Sequence, residues 1–470
     1  MNRYPRYPQY KDSGVEWIGE VPAHWDVIAL KRLGTLKGGT GFPPDMQGRS
    51  GNELPFYKVG DLSRSPNGIT LGETEHSISR KEASILGATI FPANVLVWAK
   101  IGAALLLNRR RIVPTASCLD NNMTGFIPNP SKASTKFCFY LLSSIDFSIH
   151  AKPGAVPSFS EGDQGELHVT CPSIAEQSII ADFLDRETAR IDALIAKKTR
   201  FIELLKEKRA ALITHAVTKG LDPEVKMKDS GVEWIGEVAE HWEVLRLASI
   251  GHLMKANGGN RQDDADSGIP CIRYGDLYTT YDFLIRDVKT FISNESVSNY
   301  TPIQHGDLLF AASGETFEEI GKSAVNLAEG CAYCGGDIIV LRPQKPVNPV
   351  FLGYATGSSS AQAQKSMMGK GFTVIHLYGD QLRNVVIAVP PEPEQKVIGD
   401  MIETETARID AIIGKVQESI DLLKERRSAL ITAAVTGKVD VRGLVPNAIK
   451  HTSREEKPHE LGTQLLRSDV

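Results

Sequence analysis

The chain has 470 residues, 41% hydrophobic and 23% charged, with a formal net charge of −4. That length admits two to four domains, and the composition is that of an ordinary globular protein rather than a fibrous or disordered one. No run approaches the ~20 apolar residues of a membrane helix, and the opening MNRYPRYPQYKDS has no apolar signal core, so a cytoplasmic protein without a membrane partner is expected.

The first distinctive stretch is KDSGVEWIGEV at residues 11–21, followed by His24-Trp25. A segment of about 140 residues comes next, with basic residues at Lys31, Arg32, Lys37, Lys58, Lys100, Arg109, Arg110, Arg111 and Lys152. Its β-prone run from Thr89, TIFPANVLVWAKIG, is edged by Pro and Asn. Gly38-Gly39-Thr40-Gly41 is glycine-rich but lacks the lysine of a phosphate loop, so a turn or a loop near a ligand is expected there. After Pro172, the residues Ile180, Leu184, Ile191, Ile195, Ile202, Leu205, Leu212 and Ala216 recur in steps of three, four or seven between charged residues. This spacing predicts a long amphipathic helix over 174–220, closed near Gly220.

The same order then repeats. KDSGVEWIGEV returns at 228–238, with His241-Trp242 behind it. LPFYKVGDL at Leu54 is matched by IPCIRYGDL at Ile269, Gly162-Asp163-Gln164 by Gly379-Asp380-Gln381, and ETARIDA at Glu187 by the same letters at Glu405. LLKEKRAALITHAVT at Leu204 is matched by LLKERRSALITAAVT at Leu422. The second apolar stripe is Ile398, Ile402, Ile409, Ile413, Ile420, Leu423, Leu430 and Ala434. It predicts a helix over 390–437 that pairs with the first as an antiparallel coiled coil. The second insert contains the β-prone runs HGDLLFAASG and CGGDIIVLRP, and carries Arg261, Arg273, Lys365 and Lys370.

The fold expected is thus α+β. Two mixed α/β, strand-rich domains (1–173 and 221–389) alternate with two long helices (174–220 and 390–437) in an internal pseudo-twofold repeat. A polar tail, 438–470, is expected to be disordered. The two inserts have diverged almost completely while the frame around them has not, as if one job is done twice and a second job is done in two versions.

Catalytic motifs are weak. Asn348-Pro349-Val350-Phe351 lacks the second proline of an amino-methyltransferase motif and reads as a helix start. Glu224-Val225-Lys226 is the last part of a nuclease metal site without its partner acid. Cys331-Ala332-Tyr333-Cys334 is half a zinc knuckle with no second half, and the six cysteines are expected as reduced thiols. A self-contained DNA methyltransferase or nuclease and a plain coiled-coil scaffold are the alternatives; neither explains two unlike inserts in a duplicated frame. Binding remains. Lys37, Thr40, Lys58, Lys100, Arg109, Arg110, Arg111, Lys152 and Ser158 in the first insert are candidate DNA contacts. So are Arg261, Arg273, Lys365, Lys370 and Thr373 in the second, since basic and hydroxyl side chains in loops reach phosphates and base edges.

YKDSGVEWIGEVPAHW, the GDL of each insert, PSIAEQSIIADFLDRETARIDALI and PPEPEQKVIGDMIETETARIDAII together resemble the specificity (S) subunit of type I restriction–modification systems. The resemblance spans about residues 10 to 440. It implies a non-catalytic subunit whose two inserts are target recognition domains, each reading half of a bipartite asymmetric site in double-stranded DNA. It implies helices that set the spacing and dock two modification (M) subunits, which hold S-adenosylmethionine and methylate adenine. Restriction (R) subunits, using ATP and magnesium, then complete the nuclease. The duplicated peptide would serve two equivalent junctions and two equivalent M subunits.

Overall fold

The computed structural model describes residues 4–258 and 261–444. The chain divides into two compact units, one formed by Lys197–Ile420 and the other by the residues on either side of it. Two mixed α/β, strand-rich domains and two long helices in close, coiled-coil-like contact make up the fold, and the internal repeat extends to single contacts.

Each unit starts from the repeated peptide, a small antiparallel hairpin: Tyr10–Asp12 with Glu20–Pro22, and Met227–Asp229 with Glu237–Ala239. Asp12 Oδ1 accepts from Gly14 N at 3.0 Å and Asp229 Oδ1 from Gly231 N at 3.0 Å, and both glycines have φ near +70° (69° and 70°), where a side chain would be strained. Each insert then begins and ends in a neck of two paired strands. These are Asp26–Ala29 with His168–Cys171, and Glu243–Arg246 with Val386–Val389.

Inside the necks the two inserts share a sheet that their sequences conceal. The first has the antiparallel order Gly34–Gly38, Met123–Pro128, Leu96–Ala99, Arg110–Ile112. The second has Gly251–Lys255, Ile338–Pro343, Leu308–Ala311, Ser323–Asn326, again antiparallel, with Leu284–Ile285 added in parallel at the edge. The predicted β-prone runs supply three of the four central strands, Leu96–Ala99, Leu308–Ala311 and Ile338–Pro343; the fourth, Met123–Pro128, lies outside those runs. A second, smaller sheet in each insert contains one parallel pair, Phe56–Tyr57 beside Cys118–Leu119 and Cys271–Ile272 beside Tyr333–Cys334.

The motif P-x-x-x-E-Q acts as a clasp. Gln177 is fully buried; its Oε1 accepts Ser134 N at 2.8 Å and its Nε2 donates to Lys132 O at 2.8 Å and Pro172 O at 2.9 Å. Gln395 does the same with Asn348 N at 2.8 Å and Pro390 O at 2.8 Å. Losing this side chain would strand buried backbone groups at about 1–3 kcal/mol each. The neighbouring glutamate holds the His-Trp pair: His24 Nε2 lies 3.0 Å from Glu176 and His241 Nε2 2.8 Å from Glu394. The copies differ in one detail. Trp242 Nε1 donates to Glu394 at 3.1 Å, whereas Tyr7 OH takes that place on Glu176 at 2.7 Å and leaves Trp25 Nε1 without a partner. The peptide, the His-Trp pair and the motif recur together because they are one junction.

The long helices run Ile174–Lys219 and Glu392–Val435, each followed by a glycine at positive φ, Gly220 (81°) and Gly437 (72°). All sixteen stripe residues are buried or half-buried, and near the domain ends Phe183, Ile213, Val217, Ile431 and Val435 widen the stripe into the cores. In one unit Ile180, Leu184 and Ile191 share a cluster with Leu430 and Ala434; in the other Ala216 shares one with Ile398 and Ile402. Opposite halves of the two helices therefore meet, as antiparallel pairing requires. Two ion pairs repeat with exchanged roles: Arg427 Nε donates to Asp192 at 2.8 Å, and Arg209 Nε lies 3.1 Å from Asp410. Such part-exposed pairs contribute at most about 1 kcal/mol each; their value is in fixing register.

Residues 438–444, the first part of the expected tail, are packed on the first domain. Val439 and Val441 are buried in the first core, Asp440 N donates to Pro5 O at 2.8 Å, and the Arg442 guanidinium sits 4.7 Å over the Tyr7 ring. Two valines spaced by two reach the core here, which polarity alone did not suggest. Residues 445–470 lie outside the described residues.

Candidate nucleic-acid interface

In the first domain most of the candidate contacts gather at one end of the four-stranded sheet. Lys37 is exposed on the edge strand. A Cβ on Gly38 would come within 2.8 Å of Lys100 Nζ, and one on Gly39 within 2.1 Å of Asp120 O. The glycines thus let strands approach, and Thr40 N donates to Leu119 O at 2.8 Å. Lys100 Nζ pairs with Glu161 at 2.7 Å, Phe159 N donates to Lys100 O at 2.9 Å, and Ile101 bridges Ser158. Lys152 and Ser158 close a short hairpin, Lys152 N donating to Ser158 O at 2.8 Å, and Lys152 Nζ lies 3.0 Å from Asp163. Lys58 caps a short turn and donates to Gln47 Oε1 at 2.7 Å.

The arginine run divides. Arg110 is 2% exposed, donates to Ile145 O at 2.9 Å and lies 3.7 Å over the Phe147 ring. Burial pushes its guanidinium down to about 9. The candidate Arg110 is thus a core residue in this structure: strand alternation turns Arg110 and Ile112 inward, while Arg109 and Arg111 on the other face stay half-buried.

In the second domain Arg273 donates to Tyr300 OH at 2.8 Å and pairs with Asp264. Lys370 is exposed and closes a hairpin with His376, N to O at 2.9 Å, with Thr373 exposed at its tip. A cleft lined by Lys255, Ser313, Asp337, His376 and Tyr378 runs beside this hairpin. Arg261 is described only as backbone, in the turn Arg261–Asp263.

The candidate Lys365 is also a core residue. It is fully buried, and its ammonium donates to Gly321 O at 2.7 Å and Thr356 O at 3.0 Å, 5.8 Å from the Phe310 ring. Burial pushes it down to about 7 from an ordinary 10.5. Between these values the unfolded chain holds more protons than the folded one, so stability falls as pH drops through that window. Replacement Lys365→Met is expected to flatten the rise in stability between about pH 8 and 10 seen in denaturant titrations. It should leave the recognised DNA motif unchanged; a changed motif would return Lys365 to the interface.

The remaining motifs have structural roles. Asn348 caps a helix, its Oδ1 accepting Phe351 N at 3.0 Å, with Pro349 in the first turn. Cys334 is buried, its thiol pushed up by burial, and Cys331 is exposed. Among the described residues no three His, Cys, Asp or Glu side chains come together as a metal would need, and no helix is long and apolar enough to cross a membrane.

Sequence reading missed the correspondence of the two hairpins, Lys152–Ser158 and Lys370–His376. Its only trace was the Gly-Asp-Gln triplet following each. That glutamine fastens the hairpin flank: Gln164 Nε2 donates to Phe159 O at 2.6 Å, and Gln381 Nε2 to Met368 O.

A family model described as type I restriction modification DNA specificity domain matches residues 22–204 and 239–422. The EcoKI specificity subunit of Escherichia coli K12 is 25% identical over 216 residues, 43% of this chain and 44% of that protein, so the chain spans less than half of that relative's length. The MjaIX specificity subunit of Methanocaldococcus jannaschii is 23% identical over 454 residues, 91% of this chain and 96% of that one. A solved structure from work on complex assembly of the type I R-M system aligns over 88% of this chain and 98% of its own, with a TM-score of 0.65 at 14% identity. The HsdS subunit from Thermoanaerobacter tengcongensis aligns over 91% and 100%, with a TM-score of 0.50 at 14% identity. These two likenesses concern the fold.

Proposed function

Because the chain belongs to the type I restriction–modification DNA specificity family, the non-catalytic recognition component of such complexes, we propose that its two strand-rich domains each read one half of a bipartite, asymmetric target in double-stranded DNA. The observation that carries this reading is the pairing of like scaffolds with unlike surfaces. Both inserts build the same antiparallel order of four strands, extended by a fifth in the second, on the same kind of neck, yet the side chains they present differ almost throughout. Two copies of one reader would bind a symmetric site; two different readers on one frame bind an asymmetric one.

The frame serves the partners. Two M subunits, carrying S-adenosylmethionine, dock on the repeated elements and methylate adenine; R subunits with ATP and magnesium add cleavage. The repeated peptide supports this. The fold accounts for its Asp, Gly, Ile and Val residues, whose roles are turns and core. It does not account for the identical, exposed Glu16 and Glu20 or their copies Glu233 and Glu237, nor for the exposed Trp234, whose counterpart Trp17 is half-buried against the first core. Identity kept at exposed positions, in halves that otherwise diverged, fits one partner surface met twice. The partners also enclose part of the DNA and share the phosphate contacts, so an acidic chain suffices.

The helices act as the ruler, and this supplies a test. A helix rises ~1.5 Å per residue, so four residues add about 6 Å, against ~3.4 Å per base pair. Four residues inserted between Ala193 and Lys206 are expected to lengthen the unspecified spacer of the methylated motif by roughly one or two base pairs, with both half-sites unchanged. An active insertion variant with the original spacer would contradict the ruler.

A further inference from the structure

We infer that the two short hairpins, Lys152–Ser158 and Lys370–His376, are the elements that enter the DNA groove, and that Phe372 at the second tip is a wedge that reads its half-site by stacking against a base step. The inference rests on the reading that the domains bind DNA.

The two hairpins are one device built twice. Each is closed by a backbone bond across six residues, Lys152 N to Ser158 O at 2.8 Å and Lys370 N to His376 O at 2.9 Å. The glutamine of Gly-Asp-Gln fastens one flank of each, Phe159 just after the first hairpin and Met368 just before the second. Each begins with an exposed lysine, placed to meet a phosphate. The tips are unlike: Pro153-Gly154-Ala155-Val156-Pro157 in one, Gly371-Phe372-Thr373-Val374-Ile375 in the other.

Phe372 is 101% exposed, its ring left bare by the described residues, and Val374 beside it is 46% exposed. The turn is tight because Gly371 stands at φ 138°, where a Cβ would come within 2.0 Å of Val374 O. A narrow, backbone-closed base thus carries a bare aromatic ring outward. Apolar side chains presented this way unstack base steps from a groove, and every base offers a π face to a ring.

Unlikeness of the tips selects DNA over protein. Two copies of the same partner subunit would require like surfaces in both halves, as the repeated peptide provides. The component that differs between the halves is the target sequence. The first tip, with Val156 57% exposed and no ring, would make a smaller apolar contact at its own half-site.

The test uses the full chain assembled with its M subunits. Phe372→Ala should leave assembly and melting temperature unchanged and lower methylation of the target at least ten-fold. It should also abolish the fluorescence rise of 2-aminopurine placed in the second half-site, and Phe372→Trp should restore most of both. Unchanged methylation with Phe372→Ala would overturn the wedge, and loss of assembly would assign the tip to a protein partner instead. A wild-type chain that confers no motif-directed methylation would overturn the parent reading, and the wedge with it; that outcome is visible before any variant is compared.

Discussion

A chain ending after Asp222 is expected to form a dimer and, with M subunits, to methylate a split palindrome in place of the original motif. The fragment keeps one recognition domain and the whole helix Ile174–Lys219, but loses the helix that covers its stripe. Full burial of an Ile or Leu side chain is worth about 1.5–3 kcal/mol, so eight exposed stripe positions are a strong drive to find a partner, and soluble proteins seldom leave such a surface bare. A second copy supplies it. In the intact chain Arg209 meets Asp410 and Arg427 meets Asp192; the repeat aligns Arg209 with Arg427 and Asp192 with Asp410. The fragment holds both Arg209 and Asp192, so two copies can make Arg209–Asp192 twice, the isologous pattern of a C2 dimer. Gly220 meets Trp242 in one unit as Gly437 meets Trp25 in the other, so the fragment's helix end also has its seat on the partner's Trp25. Two identical readers then specify the first half-site and its inverted copy. Light scattering and methylation mapping check this. A folded monomer, or a dimer directing the asymmetric motif, would contradict the pseudo-twofold account.

The exchange of one insert should alter half of the motif completely and the other half not at all. The second insert, about residues 240–388, leaves and returns to the frame through the neck Glu243–Arg246 and Val386–Val389, so a relative's insert joined there replaces a closed unit. Among the described residues the first domain's core, built around Trp98, Phe126 and Phe137, and the second's, around Phe310, Leu341 and Phe351, are separate clusters. Distant sites without shared partners act additively. Replacing the second insert is therefore expected to give a new second half-site, the old first half-site and the same spacer. A change in both half-sites would show that the inserts do not read independently.

The frame was legible because its signals are long or exact. A stripe sustained over more than forty residues has few alternatives to a helix, and an eleven-residue peptide does not recur by chance. The shared sheet was not legible. Its strands are three to six residues long, they pair across up to 94 residues of chain (Gly34 with Pro128), and the two inserts share few residues in them. Charge misled in two places, although both carried a local clue. In Arg109-Arg110-Arg111-Ile112 the two-residue period puts Arg110 on the face of Ile112. In the helix Ser359–Met368, Lys365 stands four residues after buried Ala361 and so on its inward face. A buried cation needs its own acceptors, Ile145 O for one and Gly321 O with Thr356 O for the other, and Ile145 and Gly321 lie 35 and 44 residues away in sequence. The hairpins were hidden for the opposite reason: backbone closure defines them, and their tips share no residues.

The central claim is that this chain chooses the DNA sequence that its partners modify. Methylated-adenine mapping of genomic DNA, in cells holding the M subunits with and without this chain, tests it most directly. The expected result is one bipartite motif with two different half-sites and a fixed spacer, methylated only when the chain is present. Methylation that persists unchanged without the chain, or a single uninterrupted motif that depends on it, would contradict the account.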